Sequence, residues 1–133
     1  MFGYVVGLPA FLLYFGIGLV MLVAFATIYA YATPHKELEL IKQGNSAAVV
    51  AYLGAIFGFS IPLASAAANS IAVVDFIVWT IVGGVVQTIA FFLASNTMDN
   101  LSKKITDGNM TAGLWAGGIA LAIGLLNAAC MTY

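Results

Sequence analysis

Charge is what this sequence has least of. Four lysines and five acidic residues make up 7% of a 133-residue chain that is 63% hydrophobic, far outside the composition of a water-soluble domain. Cysteine is almost absent: a lone Cys130 excludes an intrachain disulfide. The single histidine, His35, has no second histidine and no nearby cysteine, so no metal site is expected within one chain. The apolar stretches do not alternate with period two, which excludes barrel strands. No glycine-rich run precedes a Lys-Ser/Thr pair, no nucleophile stands beside a base, and no basic patch is present. Phosphate-loop, hydrolytic and nucleic-acid functions are set aside on those grounds. The expectation is a chain without catalytic residues, cofactor or metal.

What remains is four uncharged runs, residues 1–34, 43–74, 76–98 and 108–133. A hydrocarbon core about 30 Å thick takes roughly 20 apolar helical residues, and backbone groups inside it must be satisfied within the segment. The reading is therefore an all-α integral membrane protein with four transmembrane helices, expected at about residues 8–32, 46–68, 76–95 and 110–131. The first segment carries no basic flank and no small-residue cleavage site, so it is read as a retained helix.

All four lysines, Lys36, Lys42, Lys103 and Lys104, fall in the first and third connections, and the middle one has none. Retention of lysine on the cytoplasmic side places both long loops in the cytoplasm and both termini outside. In the first loop Thr33 is expected as an N-cap with Pro34 at the first helical position, followed by a short apolar face from Leu38, Leu40 and Ile41. Gly44 and Gly108 are expected as helix stops, and Asn45 and Asn109 as caps of the next spans. Each loop then reads as a short interfacial helix. His35, Glu37, Glu39, Asp99 and Asp107 join the lysines as a solvated, mixed-sign face.

A shift of 64 residues aligns Ile41-Lys42-Gln43-Gly44-Asn45-Ser46-Ala47-Ala48 with Ile105-Thr106-Asp107-Gly108-Asn109-Met110-Thr111-Ala112. The same shift pairs Ile17 with Ile81, Gly54 with Gly118 and Ala64 with Ala128. This predicts an internal duplication in a single membrane domain, residues 1–133, with repeats at about 8–71 and 72–133. Units of two helices insert in the same sense, giving parallel repeats.

Thr33-Pro34-His35, Leu40-Ile41-Lys42, Gly44-Asn45 with Ala47-Ala48, Ile61-Pro62-Leu63 and the stretch from Asn127 to Thr132 resemble the YjfL-type bacterial inner-membrane proteins. The resemblance spans nearly the whole chain. It implies a four-helix, twofold-repeated fold in the inner membrane; it brings no activity and no site residues with it.

Small residues allow close helix approach in lipid. Gly54 and Gly58 mark such a stripe on the second span, Gly83 and Gly84 on the third, and Gly113, Gly117 and Gly124 on the fourth; the alternative is a pore lining. Pro62 is expected to kink the second span. Ser65, Asn69, Gln87 and Asn127 form a candidate intramembrane polar site, read first as interhelical hydrogen bonding and otherwise as a solute path. Asp75, the one acid outside the charged loops, is expected as the N-cap of the third span, or as a proton or cation site if it dips into the membrane. The functional expectation is an accessory or scaffold module in the lipid bilayer that forms a homo-oligomer or binds another membrane protein. The alternative is a small oligomeric channel or carrier for a cation or polar solute.

Overall fold

The computed structural model describes residues 6–131. The outermost parts of the first and last runs, residues 1–5 and 132–133, lie outside it, and with them Thr132 and the end of the second expected repeat. Among the described residues the regular elements are all helices: α1 (Leu8–Ala32), α2 (Glu37–Lys42), α3 (Ser46–Asn69), α4 (Val73–Thr97), α5 (Leu101–Thr106) and α6 (Met110–Cys130). The four long ones, α1, α3, α4 and α6, have the length and hydropathy to cross a membrane. All-round apolarity is the reason: such helices have no polar face to turn to water.

At the centre α3 and α6 run side by side in the same direction. Gly113 meets the backbone of Ala47, Gly117 that of Val50, Gly54 meets Gly117, and Gly124 meets the Gly58 carbonyl, so contact numbers rise together along both helices. A Cβ added to Gly117 would stand 2.7 Å from the Val50 oxygen. Added at Gly54, Gly58 or Gly124, it would overlap backbone outright. Without a hydrophobic drive between helices in lipid, this backbone-to-backbone approach supplies the dispersion contact that holds them.

α4 runs antiparallel against this pair, with Gly83 beside Pro62 and Asn127 and Gln87 reaching Ala120. α1 packs against α3 and α4 and is parallel to α4: Tyr14 stacks on Phe76 and Tyr29 meets Phe91. Its main contact with α3 is aromatic, Phe25 stacking on Phe59 at 4.2 Å between ring centroids. The spans agree with the expected ones to within three residues.

The two short helices end alike. Gly44 has φ +84° and Gly108 φ +82°, the left-handed conformation in which glycine carries no Cβ penalty. In each, the glycine N–H bonds the carbonyl three residues back (Ile41, Ile105), and the following asparagine N–H bonds the one before that (Leu40, Lys104). This is the Schellman closure. The same asparagines then cap the next span: Asn45 Oδ1 accepts from the Ala48 N–H at 3.0 Å, and Asn109 Oδ1 from the Thr111 N–H at 3.0 Å. Asn45 goes further, donating through Nδ2 to the Ile105 and Thr106 carbonyls at 2.8 and 3.1 Å and so tying α3 to the end of α5.

Two expected caps are corrected. Thr33 closes α1 as its C-cap, its N–H bonding Tyr29 O, and α2 starts only at Glu37 with Lys36 before it. Pro34 therefore precedes that helix in a bend, because its ring disfavours helical backbone at the residue before it. Asp75 is the third residue of α4, not its cap, since Ala72 occupies the cap position in an extended conformation. From there its Oδ2 accepts from the Ile71 N–H at 3.4 Å, and its charge still faces the positive end of the helix dipole.

Candidate functional site

The intramembrane polar residues singled out in the sequence do not converge on one point. Ser65 Oγ donates to the Ala128 carbonyl at 3.4 Å, joining α3 to α6. Asn69 is exposed at the end of α3 and donates to its own helix at Ser65 O, 2.8 Å. Gln87 is fully buried; its Nε2 donates to Ala120 O at 3.0 Å and occupies the space that a side chain on Gly58 would fill. Ser60 and Thr88 turn back onto the carbonyls four residues earlier in their own helices. These are the local bonds that polar side chains make when water is absent. Within the described parts of the spans, the buried atoms Thr80 Oγ1, Gln87 Oε1 and Asn127 Nδ2 stay without partners.

Pro62 does not end α3, which continues through it to Asn69. Proline has no N–H for the Gly58 carbonyl four residues back. That oxygen lies against Gly124 of α6, where a Cβ would overlap it. The backbone group freed by the proline is thus turned toward the neighbouring helix and away from an open site.

A second cluster, at the charged-loop end, has the opposite character. His35 and Glu37 are 4% and 1% exposed, so neither belongs to a solvated face as expected. His35 Nε2 lies 2.8 Å from Glu37 Oε1, and His35 Nδ1 lies 3.1 Å from Ser102 Oγ on α5. Glu37 Oε2 is buried with no partner. The imidazole packs at 5.6 Å on the Phe91 ring of α4; Tyr29 meets the same ring edge-on and Tyr52 lies beside Tyr29, donating to Ala26 O at 2.6 Å. Burial holds the Glu37 carboxyl above its usual range, an effect partly offset by the hydrogen bond and charge of His35 and by Thr33.

Sequence reasoning missed this cluster because a histidine and a glutamate two residues apart in a polar loop carry no burial signal of their own. Burial comes from Phe91 and α5, far along the chain. The one clue available was that Thr33-Pro34-His35 stands among the motifs that carry the resemblance. Glu39 and Lys103 are exposed and Lys104 half-buried, in keeping with the solvated face expected for the rest of the loops. Among the described residues no group of three His, Cys, Asp or Glu side chains is placed to hold a metal ion.

Against known proteins, the chain is similar to the UPF0719 inner membrane protein YjfL of Escherichia coli K12. The two are 44% identical over 126 residues, covering 95% of this chain and 96% of the relative. The protein of the same name from Escherichia coli O157:H7 matches to the same extent. No solved structure matches the chain. Four membrane-crossing helices together with this kinship make it a multi-pass protein of the inner membrane. The model of the Domain of Unknown Function (DUF350) matches residues 3–131, nearly the entire length, and the chain belongs to that family.

Proposed function

We infer that the protein is a non-catalytic accessory or scaffold module of the inner membrane that self-associates or binds a membrane partner. The carrying observation is how most of its intramembrane polar donors are used: the hydroxyls of Ser60, Ser65 and Thr88 and the side-chain N–H groups of Asn69 and Gln87 are spent on nearby backbone carbonyls. Within one chain these bonds build packing between and within the helices. α1 is the partner-facing element. Phe11, Leu12, Phe15, Leu19, Val20 and Val23 all stand outward. The reading keeps both charged loops cytoplasmic and both termini outside, and treats residues 8–71 and 72–133 as two copies. The matched glycine and asparagine caps 64 residues apart support the duplication.

The test is cysteine cross-linking in membranes. Cys130 would be changed to serine and a cysteine placed at Val20. A cross-linked homodimer or a discrete larger adduct is expected; a chain that stays monomeric at Val20 and at a second outward position, Phe15, overturns the α1 interface. Reporter fusions at residues 40 and 103 should both report the cytoplasm.

A small oligomeric channel or carrier for a cation or polar solute is the second reading. It is favoured by the unpartnered Thr80, Gln87 and Asn127 atoms on α4 and α6, since polar groups left bare in lipid are costly and recur along solute pathways. Flux through liposomes that falls when Asn127 is replaced by leucine would select it. Flux equal to that of empty liposomes would remove it.

A further inference from the structure

The buried pair at the loop end is a neutral assembly or an anion depending on one proton. If the imidazole is neutral and donates through Nε2 to Glu37 Oε1, the pair carries a net negative charge among Tyr29, Tyr52 and Phe91. A net charge in such surroundings is costly, and a bound proton cancels it. The partner on the other imidazole nitrogen suits both states. Ser102 Oγ, 3.1 Å from Nδ1, can donate to a bare nitrogen or accept from a protonated one by rotating its hydrogen. Proton binding therefore needs no movement of heavy atoms. A cavity of about 410 Å³ lined by residues of the same loop, among them Thr33, Pro34, Lys36 and Glu39, lies beside the pair, whose own side chains are closed to solvent.

We propose that His35, Glu37 and Ser102 form a binding site for a single proton exchanged with the loop-side solution and held on His35 Nδ1. The proton adds to the Nδ1 lone pair; the Nε2–H bond to Glu37 is kept, and the Ser102 hydroxyl changes from donor to acceptor. Because Ser102 is on α5 and His35 on the loop after α1, the bound proton is shared between the two halves of the chain. Glu37 Oε2 is buried and unpartnered, and the imidazole is the group that can carry a charge opposite to the carboxylate's within hydrogen-bond reach.

The groups around the pair are few. α1 and α3 contribute the phenols of Tyr29 and Tyr52, which Glu37 influences through space. α4 contributes the uncharged Phe91 ring, and α5 contributes Ser102, with Lys103 exposed and Lys104 half-buried on the same helix. The loop itself supplies Lys36 and Glu39 on the cavity wall. This inference does not depend on the scaffold reading.

His35 is the only histidine, so the test needs no assignment by mutation. The full chain, carrying ¹⁵N-labelled histidine, would be placed in lipid nanodiscs and followed by NMR from about pH 9 down to about pH 5, where histidine titrates. At high pH the hydrogen is expected on Nε2 with Nδ1 bare, and Nδ1 gains one proton in a single step as the pH falls. Glu37→Gln, which removes the facing carboxylate, should weaken proton affinity about tenfold or more. Nitrogen shifts that do not change over the range, or a deprotonated form with its hydrogen on Nδ1, overturn the proposal. So does a midpoint unmoved by Glu37→Gln; should that variant not fold, the wild-type tautomer decides alone.

Discussion

α1 and α4 occupy corresponding places, each parallel to the other and antiparallel to the central pair, yet they pack differently. α4 buries Phe76, Thr80, Gly83, Gln87, Ala90, Phe91 and Ala94. α1 buries Phe25 and Tyr29. The inward face of α4 is mostly small or polar, so its backbone comes close to α3 and α6. α1 meets α3 and α4 through large rings, and apolar cavities of about 370 and 220 Å³ lie along those seams. Hydropathy does not separate the two helices; the size of the residue at the contact does.

Glycines give the sharpest way to break this comparison. Gly54→Ala drives a methyl into the Gly117 backbone and should cost about 2–3 kcal/mol, as overpacking does, read as a large fall in the unfolding midpoint in detergent. Gly84→Ala, at the α1 side of α4, meets only the Phe59 and Phe25 ring atoms at 3.5 and 3.6 Å. It should leave stability within about 0.5 kcal/mol. Equal effects would mean that the α3–α6 contact is no tighter than the α1 seam.

The loop caps allow a second contrast between the halves. Asn45→Ala should cost about 2 kcal/mol and Asn109→Ala about 1 kcal/mol, since only Asn45 is seen to tie its span to the other loop's helix. Matching losses in the same unfolding assay would argue against that extra tie. Gln87→Leu, removing one bond to Ala120, should cost about 0.6 kcal/mol, the typical worth of a polar bond in a membrane bundle.

The pH dependence follows from Glu37, whose carboxyl is held above its usual range mainly by burial. The folded chain binds this proton more tightly than the unfolded one, so its contribution to stability is full below the ordinary carboxylate value of about 4.3. It is lost as the pH rises through the raised value. Unfolding midpoints should fall as the pH rises above the ordinary carboxylate value and through the raised one, and Glu37→Gln should flatten that slope. A wild-type midpoint that rises with pH would contradict the direction of the shift.

How much was legible shows in particular residues. Gly44 and Gly108 announce their left-handed turns, and Asn45 and Asn109 their caps, because cap chemistry is local and needs only neighbours in sequence. Asp75 lies one turn further into its helix than a cap would: three apolar residues ahead of it can extend a helix as readily as a loop, and a carboxylate serves the helix start from either position. Gln87 reads from the sequence as a membrane-buried amide, but its seat against Gly58 depends on a helix crossing that no spacing reveals.

Four apolar spans and their turns were determined by the sequence alone, because a bilayer admits only segments that satisfy their own backbone and because caps are short-range. Which helices touch, and that His35 and Glu37 lie beneath Phe91 while their neighbours meet water, was decided by the tertiary structure. Contact between segments depends on the shapes of two surfaces together, and neither is written in one stretch of chain.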